Sequence, residues 1–488
     1  MSSRSRTSLS RRKFLEDSML AAAAAVAAGG VAHVHAEEAA PASKSPNEKL
    51  GVACVGVRGQ GNSHLGAYSR RPDTEVLYVC DVDESVGQQR VKEVAARQGR
   101  APKYVQDLRQ MLEDKSVDIV TTATPNHWHA LVAIWAIQNG KDVYVEKPVS
   151  HNVSEGRRIV DAARKYNRIC QTGTQCRSMK GSIDAIKYVH EGKIGKLSIA
   201  RGLCYKSRPS IGPKGDYPIP ASVNYDLWSG PAPVKPLTRE KLHYDWHWMW
   251  DYGNGDLGNQ GIHQMDLARW GLGAKTLSTE VVSYGGRLGY EDAGETANTQ
   301  TIIHDYGDQQ LVFEVRGLPT EPLRGAKVGV IFEGADGFVV LTEYTAGAAF
   351  DLKGNKVAEF QGGGDHHGNF LKAVRSRNPA DLNADILEGH LSSALCHMGN
   401  ISYRLGTQEP LRQVEMRLAG NDDAIDTFER FSDHLKSNGV DIDKAQIGYG
   451  RELHFDIDDE RFVNDSQADA MLTREYRAPF IVPPAGRV

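Results

Sequence analysis

The chain has 488 residues, of which 40% are hydrophobic and 25% charged, and its formal net charge is −4. This length exceeds one ordinary domain, and the composition is that of a globular protein with a core of normal size. The near balance of charge leaves no electrostatic footprint for nucleic acid or for an anionic membrane. We therefore expect two domains with additional segments, and no nucleic-acid partner.

The first 36 residues have the composition of an export signal. The string Ser10-Arg11-Arg12-Lys13-Phe14-Leu15 matches the twin-arginine motif, an alanine-rich stretch covers 19–32, and Val34-His35-Ala36 is a small-residue cleavage site. The apolar stretch is too short and too rich in alanine for a good spanning helix. We predict a signal peptide at 1–36, a linker at 37–48 and a periplasmic or otherwise exported protein. A disordered basic tail and an uncleaved anchor are the alternatives.

Short apolar runs alternate with helix-like segments in the next part of the chain. This alternation predicts a doubly wound parallel sheet, a Rossmann domain over residues 49–170. The predicted strands lie at 52–55, 76–80, 117–120 and 143–145, and the clearest helices at 84–98 and 129–139.

The rhythm changes after residue 170. Strand-like runs follow one another with few helices between them, which predicts an α+β domain with a large, mostly antiparallel sheet over 171–405. These runs lie at 197–205, 279–284, 299–304, 310–315, 327–332 and 337–341. The remainder, 406–488, is predicted to wrap the body as an extension. The six cysteines are scattered without a zinc-binding spacing, so we expect reduced, buried side chains.

The first predicted strand ends in a glycine-rich turn. Gly56 and Gly61 fit the first and last positions of the G-x-G-x-x-G fingerprint, but Arg58 takes the middle position and an extra glycine, Gly59, follows it. Gly56 permits the tight turn, Gly61 permits close packing of the helix, and the helix N-terminus offers free N–H groups to a pyrophosphate. These four residues are therefore candidates for binding a dinucleotide.

The second strand strengthens this interpretation. It ends in Asp81, 20 residues after Gly61, where the fold places a carboxylate on the adenosine ribose. A carboxylate there repels a 2′-phosphate, so NAD is favoured, with NADP as the alternative. A helix cap or a loop charge is the other interpretation of Asp81.

Two further motifs carry a family resemblance. Thr124-Pro125-Asn126-His127-Trp128-His129 follows the third strand, and Glu146-Lys147-Pro148 follows the fourth. In this order and spacing they resemble the Gfo/Idh/MocA oxidoreductases. The resemblance implies a sugar or polyol substrate, a dimer or tetramer, and a nicotinamide end lined by both motifs. Its cofactor contacts would be Thr124, Asn126, His129, Glu146 and Lys147.

The resemblance continues into the second domain. The segment 171–177 is similar to the strand that opens the family's second domain, and 253–266 to the segment with its catalytic histidine. Here that histidine is His263, and Asn259 stands where many members have an aspartate. Resemblance and position make Arg177, Asn259, His263 and Trp250, from an aromatic cluster, candidates for substrate contact.

Oxidation of an alcohol requires a base for the hydroxyl proton and a cation for the developing alkoxide. His263 suits the base, because an imidazole titrates near working pH. Lys147 suits the cation. Asp266 lies three residues from His263, so on a helix it would share a face with the imidazole and could orient it. We expect no metal site.

Three functions remain open from the sequence. The first is hydride transfer between a sugar or polyol carbon and a tightly held nicotinamide cofactor, since free cofactor is scarce outside the cytoplasm. The second is a redox-neutral glycosidase, in which a hydroxyl is transiently oxidised, a group is eliminated, water adds and the hydride returns. The third is a non-catalytic sugar-binding protein.

Overall fold

The computed structural model describes residues 49–488, and the predicted signal peptide and linker lie outside this range. The N-terminal domain is a six-stranded parallel sheet in the order β3-β2-β1-β4-β5-β6, which confirms the predicted doubly wound fold. Its strands are β1 Leu50–Val55, β2 Thr74–Cys80, β3 Lys103–Val105, β4 Ile119–Thr122, β5 Asp142–Val145 and β6 Cys170–Thr172. Its helices are α1 Gln60–Ser69, α2 Glu84–Gln98, α3 Arg109–Leu112, α4 Asn126–Gln138 and α5 Val153–Lys165.

Local sequence explains where these elements begin and end. Helix α2 begins after Asp83, whose side chain accepts a hydrogen bond from the Ser85 amide, and ends at Gly99, which has φ of 77°. Five consecutive residues of β1, 51–55, are buried, as expected for a strand covered by helices on both faces. The parallel sheet thus presents its carboxyl edge as the place for a ligand.

The second domain is built on one large mixed sheet, in the order β14-β13-β12-β11-β7-β10-β9-β8-β16-β15. Strands β7 and β10 pair in parallel, and the other neighbours are antiparallel. The strands are β7 Leu197–Tyr205, β8 Glu280–Gly286, β9 Thr299–Asp305, β10 Gln310–Arg316, β11 Val328–Gly334, β12 Gly337–Leu341, β13 Ala346–Asp351, β14 Lys356–Gln361, β15 Thr407–Pro410 and β16 Gln446–Tyr449. A short hairpin, β17 Leu453–Asp456 with β18 Arg461–Phe462, is attached to β8.

Most of the remaining helices cover this sheet or connect it to the first domain, and the helix at 366–376 packs in a core cluster of the Rossmann domain. These remaining helices are α6 Lys180–His190, α7 Tyr225–Ser229, α8 Gly255–Asn259, α9 Gly261–Leu272, α10 His366–Ser376, α11 Ile386–Arg404, α12 Leu411–Leu418, α13 Asp422–Ser437 and α14 Ser466–Ala470. Helix α11 packs against both domains. A Cβ added to Gly156 of α5 would lie 2.5 Å from His390 Nδ1 of α11, and Ser392 of α11 donates to Asp266 of α9 at 2.7 Å.

The residues after 406 are more closely integrated than an outer wrap. Strands β15 and β16 extend the large sheet, and α12 and α13 pack on it through a cluster that includes Phe428 and Phe431. The last residues return to the Rossmann domain, where Phe480 packs 5.3 Å from Trp128 between ring centroids. All six cysteines are buried and unpaired, as predicted. Among residues 49–488, no helix is long and apolar enough to cross a membrane.

One segment of the second domain lies over the first. We call residues 217–252 the strap. It has a small hydrophobic cluster of its own, and the partly buried Val82, just after β2, packs against that cluster. The buried members of the cluster are Val223, Trp228, Ala232, Leu237, Leu242, Met249 and Tyr252.

Candidate active site

The glycine turn between β1 and α1 is packed too closely for other residues at two positions. Gly56 has φ of +74°, and a Cβ there would lie 2.8 Å from the Thr124 amide nitrogen. A Cβ on Gly61 would lie 1.9 Å from the Gly56 carbonyl oxygen. By contrast, a Cβ on Gly59 would meet nothing within 4 Å. The turn is therefore tight on the protein side and open next to the amides of Gln60 and Gly61, whereas the Asn62 amide donates to the Gly59 carbonyl at 2.9 Å.

Asp81 lies just after β2 and beside this turn. Its carboxylate accepts hydrogen bonds from the amides of Val57 at 2.8 Å and Asp83 at 3.0 Å. Burial raises the pKa of Asp81, and the two amide hydrogen bonds oppose that rise. Asp81, the residue predicted to bind the ribose, thus also holds the glycine turn in place, which the sequence did not indicate.

These features fit a dinucleotide. The open side of the Gly59 position and the free amides of α1 suit a pyrophosphate, and Asp81 suits the ribose next to it. At the other end of the cleft, the buried Oδ1 of Asn126 has no hydrogen-bond partner among the described residues. Arg58 is exposed beside the turn, and its carbonyl accepts from Arg90 Nη2 at 3.0 Å.

The predicted cation and base come together from different domains. Lys147 follows β5 of the Rossmann domain, and its ammonium donates to the carbonyl of Asn259 in the second domain at 2.8 Å. His263 lies one helical turn beyond Asn259, near the start of α9. Its ring is 4% exposed and packs 5.1 Å from the ring of Tyr344.

The surroundings of His263 favour the neutral form of its imidazole. Burial is the main cause that lowers the pKa of His263 well below its usual value, and the charge of Lys147 lowers it further. Burial also lowers the pKa of Lys147, against the attraction of Glu146. Among the described residues, the buried Nδ1 of His263 has no hydrogen-bond partner. Both pKa shifts of His263 favour its neutral form, which is the form that can accept a proton.

Glu146 is held from below by helix α1. Its Oε1 accepts from Gln60 Nε2 at 3.1 Å and lies 3.1 Å from His64 Nε2. Burial alone would raise the pKa of Glu146, but the hydrogen bond and charge of His64 outweigh it and bring the pKa to about 2. The Glu146 carboxylate also accepts from the Lys147 amide at 3.2 Å. The Glu146 side chain therefore connects α1 to Lys147, and its hydrogen bonds are made within the protein.

The turn after β4 contains two predicted contacts, which differ in their surroundings. Asn126 is 3% exposed, with the unpartnered oxygen described above. His129 is 1% exposed, and its ring nitrogens lie 2.6 Å from the Pro148 carbonyl and 2.8 Å from the Thr124 carbonyl. His129 thus joins the two loops and is not placed to touch a cofactor, contrary to the expectation. The Thr124 hydroxyl lies 3.0 Å from that of Thr122.

The structure does not place Asp266 against His263, as the helical spacing had suggested. The Asp266 carboxylate accepts from Arg177 Nε at 2.8 Å and Nη2 at 2.9 Å, and from Ser392 at 2.7 Å. Arg177 also forms an ion pair of 3.1 Å with Glu388. Both Arg177 and Asp266 are buried. These two expectations are therefore corrected: Asp266 does not orient the imidazole, and Arg177 belongs to a buried ion-pair network.

Trp250 is also not placed beside the lysine and histidine. Its indole lies under the Arg404 guanidinium, 4.8 Å from the ring centroid, and lines a cavity of about 200 Å³. That cavity is enclosed by the loop after Lys147, helix α11 and the C-terminal segment, and includes His151, Asn254 and Arg474.

Other residues surround the lysine, and the sequence motifs did not single all of them out. Arg208 forms a two-pronged ion pair with Asp256, at 2.7 and 2.8 Å, and donates to the Tyr244 hydroxyl at 3.0 Å. Lys206 donates to Gln260 at 3.1 Å. Asp256 lies within the glycine-rich motif at 253–266, so the sequence could have indicated it. Tyr344 lies in a hairpin distant in sequence, and no motif contains it.

Two family models match the chain and agree with this architecture. One, described as an oxidoreductase family with an NAD-binding Rossmann fold, matches residues 50–174, and the second, the C-terminal alpha/beta domain of the same family, matches 212–434. The chain belongs to the Gfo/Idh/MocA oxidoreductase family. Its N-terminal domain is accordingly the NAD-binding domain of that family, which agrees with the glycine turn and Asp81.

Individual relatives are similar to parts of this chain. The chain is 27% identical over 201 residues to a glycosyl hydrolase family 109 protein of Shewanella sp., covering 38% of this chain and 44% of that one. It is 27% identical over 241 residues to levoglucosan dehydrogenase of Pseudarthrobacter phenanthrenivorans, covering 48% and 54%. The chain thus spans about half the length of these relatives.

The fold is also that of solved family structures. The WlbA dehydrogenase of Bordetella pertussis, in complex with NADH and UDP-GlcNAcA, is similar with a TM-score of 0.53 and 20% identity, covering 72% of this chain and 94% of that one. Levoglucosan dehydrogenase in complex with NADH and levoglucosan has a TM-score of 0.54 and 18% identity, covering 71% and 95%. At this level of identity the likeness shows the shared fold.

Proposed function

We propose that this protein is an NAD-dependent oxidoreductase that acts on a CH–OH group of a sugar or polyol. The observation that carries the proposal is the meeting of Lys147 and His263 at the carboxyl edge of the NAD-binding sheet. The Lys147 ammonium is fixed by the Asn259 carbonyl, and burial lowers the pKa of the neighbouring imidazole, which favours its neutral form. This is the pair of groups that alcohol oxidation requires.

The residues of the site have separate roles in this reaction. Gly56 and Gly61 give the turn its tight shape, the first amides of α1 would hold the pyrophosphate in the space that Gly59 leaves open, and Asp81 would bind the ribose. His263 takes the hydroxyl proton, and Lys147 stabilises the negative charge that develops on the oxygen. The nicotinamide ring supplies the hydride acceptor when the cofactor is bound. Asn126, with its unpartnered oxygen, lies at the same end of the cleft.

A redox-neutral glycosidase is the second candidate. The similarity to a glycosyl hydrolase family 109 protein favours it, whereas the similarity to levoglucosan dehydrogenase favours net oxidation. Both use the same base and cation for the first step, so the arrangement of Lys147 and His263 supports either.

The purified protein decides between the candidates. It should carry or bind NAD, seen as reduced-cofactor absorbance when a sugar substrate is added. Accumulation of NADH or ketosugar identifies an oxidoreductase, and release of an aglycone without added cofactor identifies a glycosidase. No affinity for NAD or NADP would refute both and leave a sugar-binding protein.

We further propose that the protein is exported by the twin-arginine route and acts as a dimer or tetramer. The support for export is the motif at residues 10–15, and the support for an oligomer is the family resemblance. Fractionation of cells into periplasm and cytoplasm, and light scattering of the purified protein, test these two points.

A further inference from the structure

The strap crosses the carboxyl edge of the Rossmann sheet from one side to the other. At the β2 side, the Glu84 amide donates to the Ser222 carbonyl at 2.9 Å, and the Asn224 amide donates to the Val82 carbonyl at 2.9 Å. His243 Nε2 lies 2.9 Å from Asp83 Oδ2 at the same place. The strap is thus attached directly beyond Asp81, at the predicted ribose position.

The strap is attached again at the opposite side, where α4 follows β4. The Trp228 carbonyl lies 2.9 Å from His127 Nε2, and Trp128 Nε1 donates to the Leu227 carbonyl at 2.9 Å. Because β2 and β4 flank β1 in the sheet, a chain joined to both must pass over the end of β1. The glycine turn that begins at Gly56 lies at that end.

The strap also reaches the lysine end of the cleft. His247 of the strap lies close enough for the charges of Lys147 and Arg208 to contribute to its titration, although burial is the main cause of its lowered pKa, which is about 3. The same segment carries Tyr244, whose hydroxyl accepts from Arg208. One continuous segment therefore extends from the ribose position to Arg208, in the neighbourhood of Lys147.

A second segment fastens the strap from outside. We call residues 474–480 the clasp. Arg477 donates three hydrogen bonds to the strap, to the Gly230 carbonyl at 3.0 Å and to the carbonyl and carboxylate of Asp226 at 2.7 Å each. Arg474 donates to the Asp251 carbonyl at 2.8 Å. The Gly230 carbonyl is buried, whereas Asp226 is exposed, and a charged donor forms its stronger hydrogen bond at the buried carbonyl.

The clasp is itself anchored in the Rossmann domain. Phe480 is 2% exposed, and its ring packs 5.3 Å from Trp128 and 6.4 Å from Trp135 between centroids. The strap is therefore held along the cleft by its own contacts and from outside by a segment rooted in α4.

We propose that the strap and the clasp retain NAD in its site, so that the dinucleotide is a resident group and not an exchanging substrate. This inference rests on the proposed function, because it requires a dinucleotide at the glycine turn. A ligand that lies beneath a fastened segment leaves only when that segment detaches, so the contacts of the fastening set the dissociation rate. Neither the strap nor the clasp supplies the proposed base or cation of the reaction. Retention of the dinucleotide would be the function of both segments.

The test measures release of NADH from the full-length protein. The protein is loaded with NADH, mixed with excess NAD, and the loss of bound-cofactor fluorescence is followed in time. We expect slow release from the wild type, and release faster by about tenfold or more from Arg477→Ala, which removes three hydrogen bonds from the fastening. His243→Ala, at the other end of the strap, is expected to act in the same direction.

Arg461→Ala is the matched control. Arg461 lies in the same C-terminal part of the chain, is 69% exposed in its side chain and pairs with Asp469, away from the strap. It should release NADH at the wild-type rate. Thermal melting of each variant shows that it is folded.

The outcomes separate this inference from the proposed function. If the wild type binds NADH but Arg477→Ala and His243→Ala release it no faster, the retention proposal is overturned and the oxidoreductase proposal stands. Exchange within the mixing time in the wild type would overturn retention in the same way. If the wild type binds neither dinucleotide, the proposed function fails, and retention fails with it.

Discussion

The ammonium of Lys147, on the Rossmann domain, donates a hydrogen bond of 2.8 Å to the main-chain carbonyl of Asn259, on the second domain. Because a main-chain carbonyl accepts this bond, the identity of the Asn259 side chain is not what positions the lysine. The aspartate that many family members carry at this place is therefore not needed for that contact. The candidate pair of Lys147 and His263 exists only when both domains are folded and docked.

Replacement of the lysine tests the cationic role. We expect Lys147→Met to lower kcat by about 10²–10³-fold, as for loss of one group that stabilises a developing oxyanion, with NAD binding largely preserved. Steady-state kinetics and a cofactor titration measure the two effects. Lys187→Met, at a lysine with a side chain 72% exposed, should leave both unchanged. Full activity in Lys147→Met would contradict the assignment.

Replacement of the histidine tests the base. We expect His263→Asn to lower kcat by about 10²–10⁴-fold, the usual contribution of general acid–base catalysis, and to abolish the acidic limb of the pH profile. The expected readout is kcat with KM little changed. A variant that raises only KM would show that His263 binds substrate without accepting its proton.

The pH dependence follows from the direction of two pKa shifts. The base form of His263 is the neutral imidazole, and burial lowers the pKa of this group, so kcat/KM should fall on the acid side only well below pH ~6.5, the ordinary histidine value. The active form of Lys147 is charged, and burial lowers its pKa too. The alkaline limb should therefore lie below the ordinary lysine value of ~10.4.

The pH profile of kcat/KM reports the free enzyme and measures both limbs. Lys147→Arg, if active, should move the alkaline limb upward, because a guanidinium stays charged at higher pH. An acidic limb at or above the ordinary histidine value would be inconsistent with the buried imidazole.

The two glycines at the start of α1 provide a matched comparison. Gly61→Ala places a Cβ 1.9 Å from the Gly56 carbonyl oxygen, so the turn must shift. We expect NAD affinity to fall by roughly tenfold or more, the equivalent of a typical overpacking cost. A Cβ at Gly59 meets nothing in the protein, so Gly59→Ala should melt at the wild-type temperature, and any loss of affinity there reports contact with the cofactor itself. Calorimetric titration with NAD measures the affinities.

The Arg177–Asp266 pair should contribute to stability and not to substrate binding. Removal of one partner from a buried ion pair leaves an uncompensated charge, so Arg177→Ala should destabilise the protein by about 3–5 kcal/mol. Arg100→Ala breaks the exposed pair with Glu75 and should cost about 0–1 kcal/mol. Denaturant unfolding measures both. A selective rise in KM with unchanged stability would restore Arg177 as a substrate contact.

The sequence predicted the elements whose signals are local. Helix 84–98 was predicted with its observed bounds because its cap Asp83 and the terminating Gly99 are adjacent in sequence. Very short strands such as β3 and β18 carry no periodicity long enough to recognise. The sequence also placed the glycines and Asp81 at one turn, because the fingerprint has a fixed spacing.

What the sequence could not predict depended on distant partners. The helical spacing of Asp266 and His263 was correct, but the carboxylate is directed to Arg177, 89 residues away. Likewise, His129 fits a family motif, yet its ring is fully engaged by two loop carbonyls. Spacing along a helix limits which side chains share a face, whereas the choice among partners is decided by charges brought in from elsewhere in the fold.

Helix α11 has a consequence for how ligands enter and leave. It packs on α5 of the first domain and on α9 of the second. It therefore stiffens the connection between the two domains. A hinge rotation of one domain against the other would have to break both sets of contacts at once. Ligands must then enter and leave the cleft by local detachment of the chain segments at its edge. X-ray scattering profiles of the protein recorded with and without NADH should therefore superimpose.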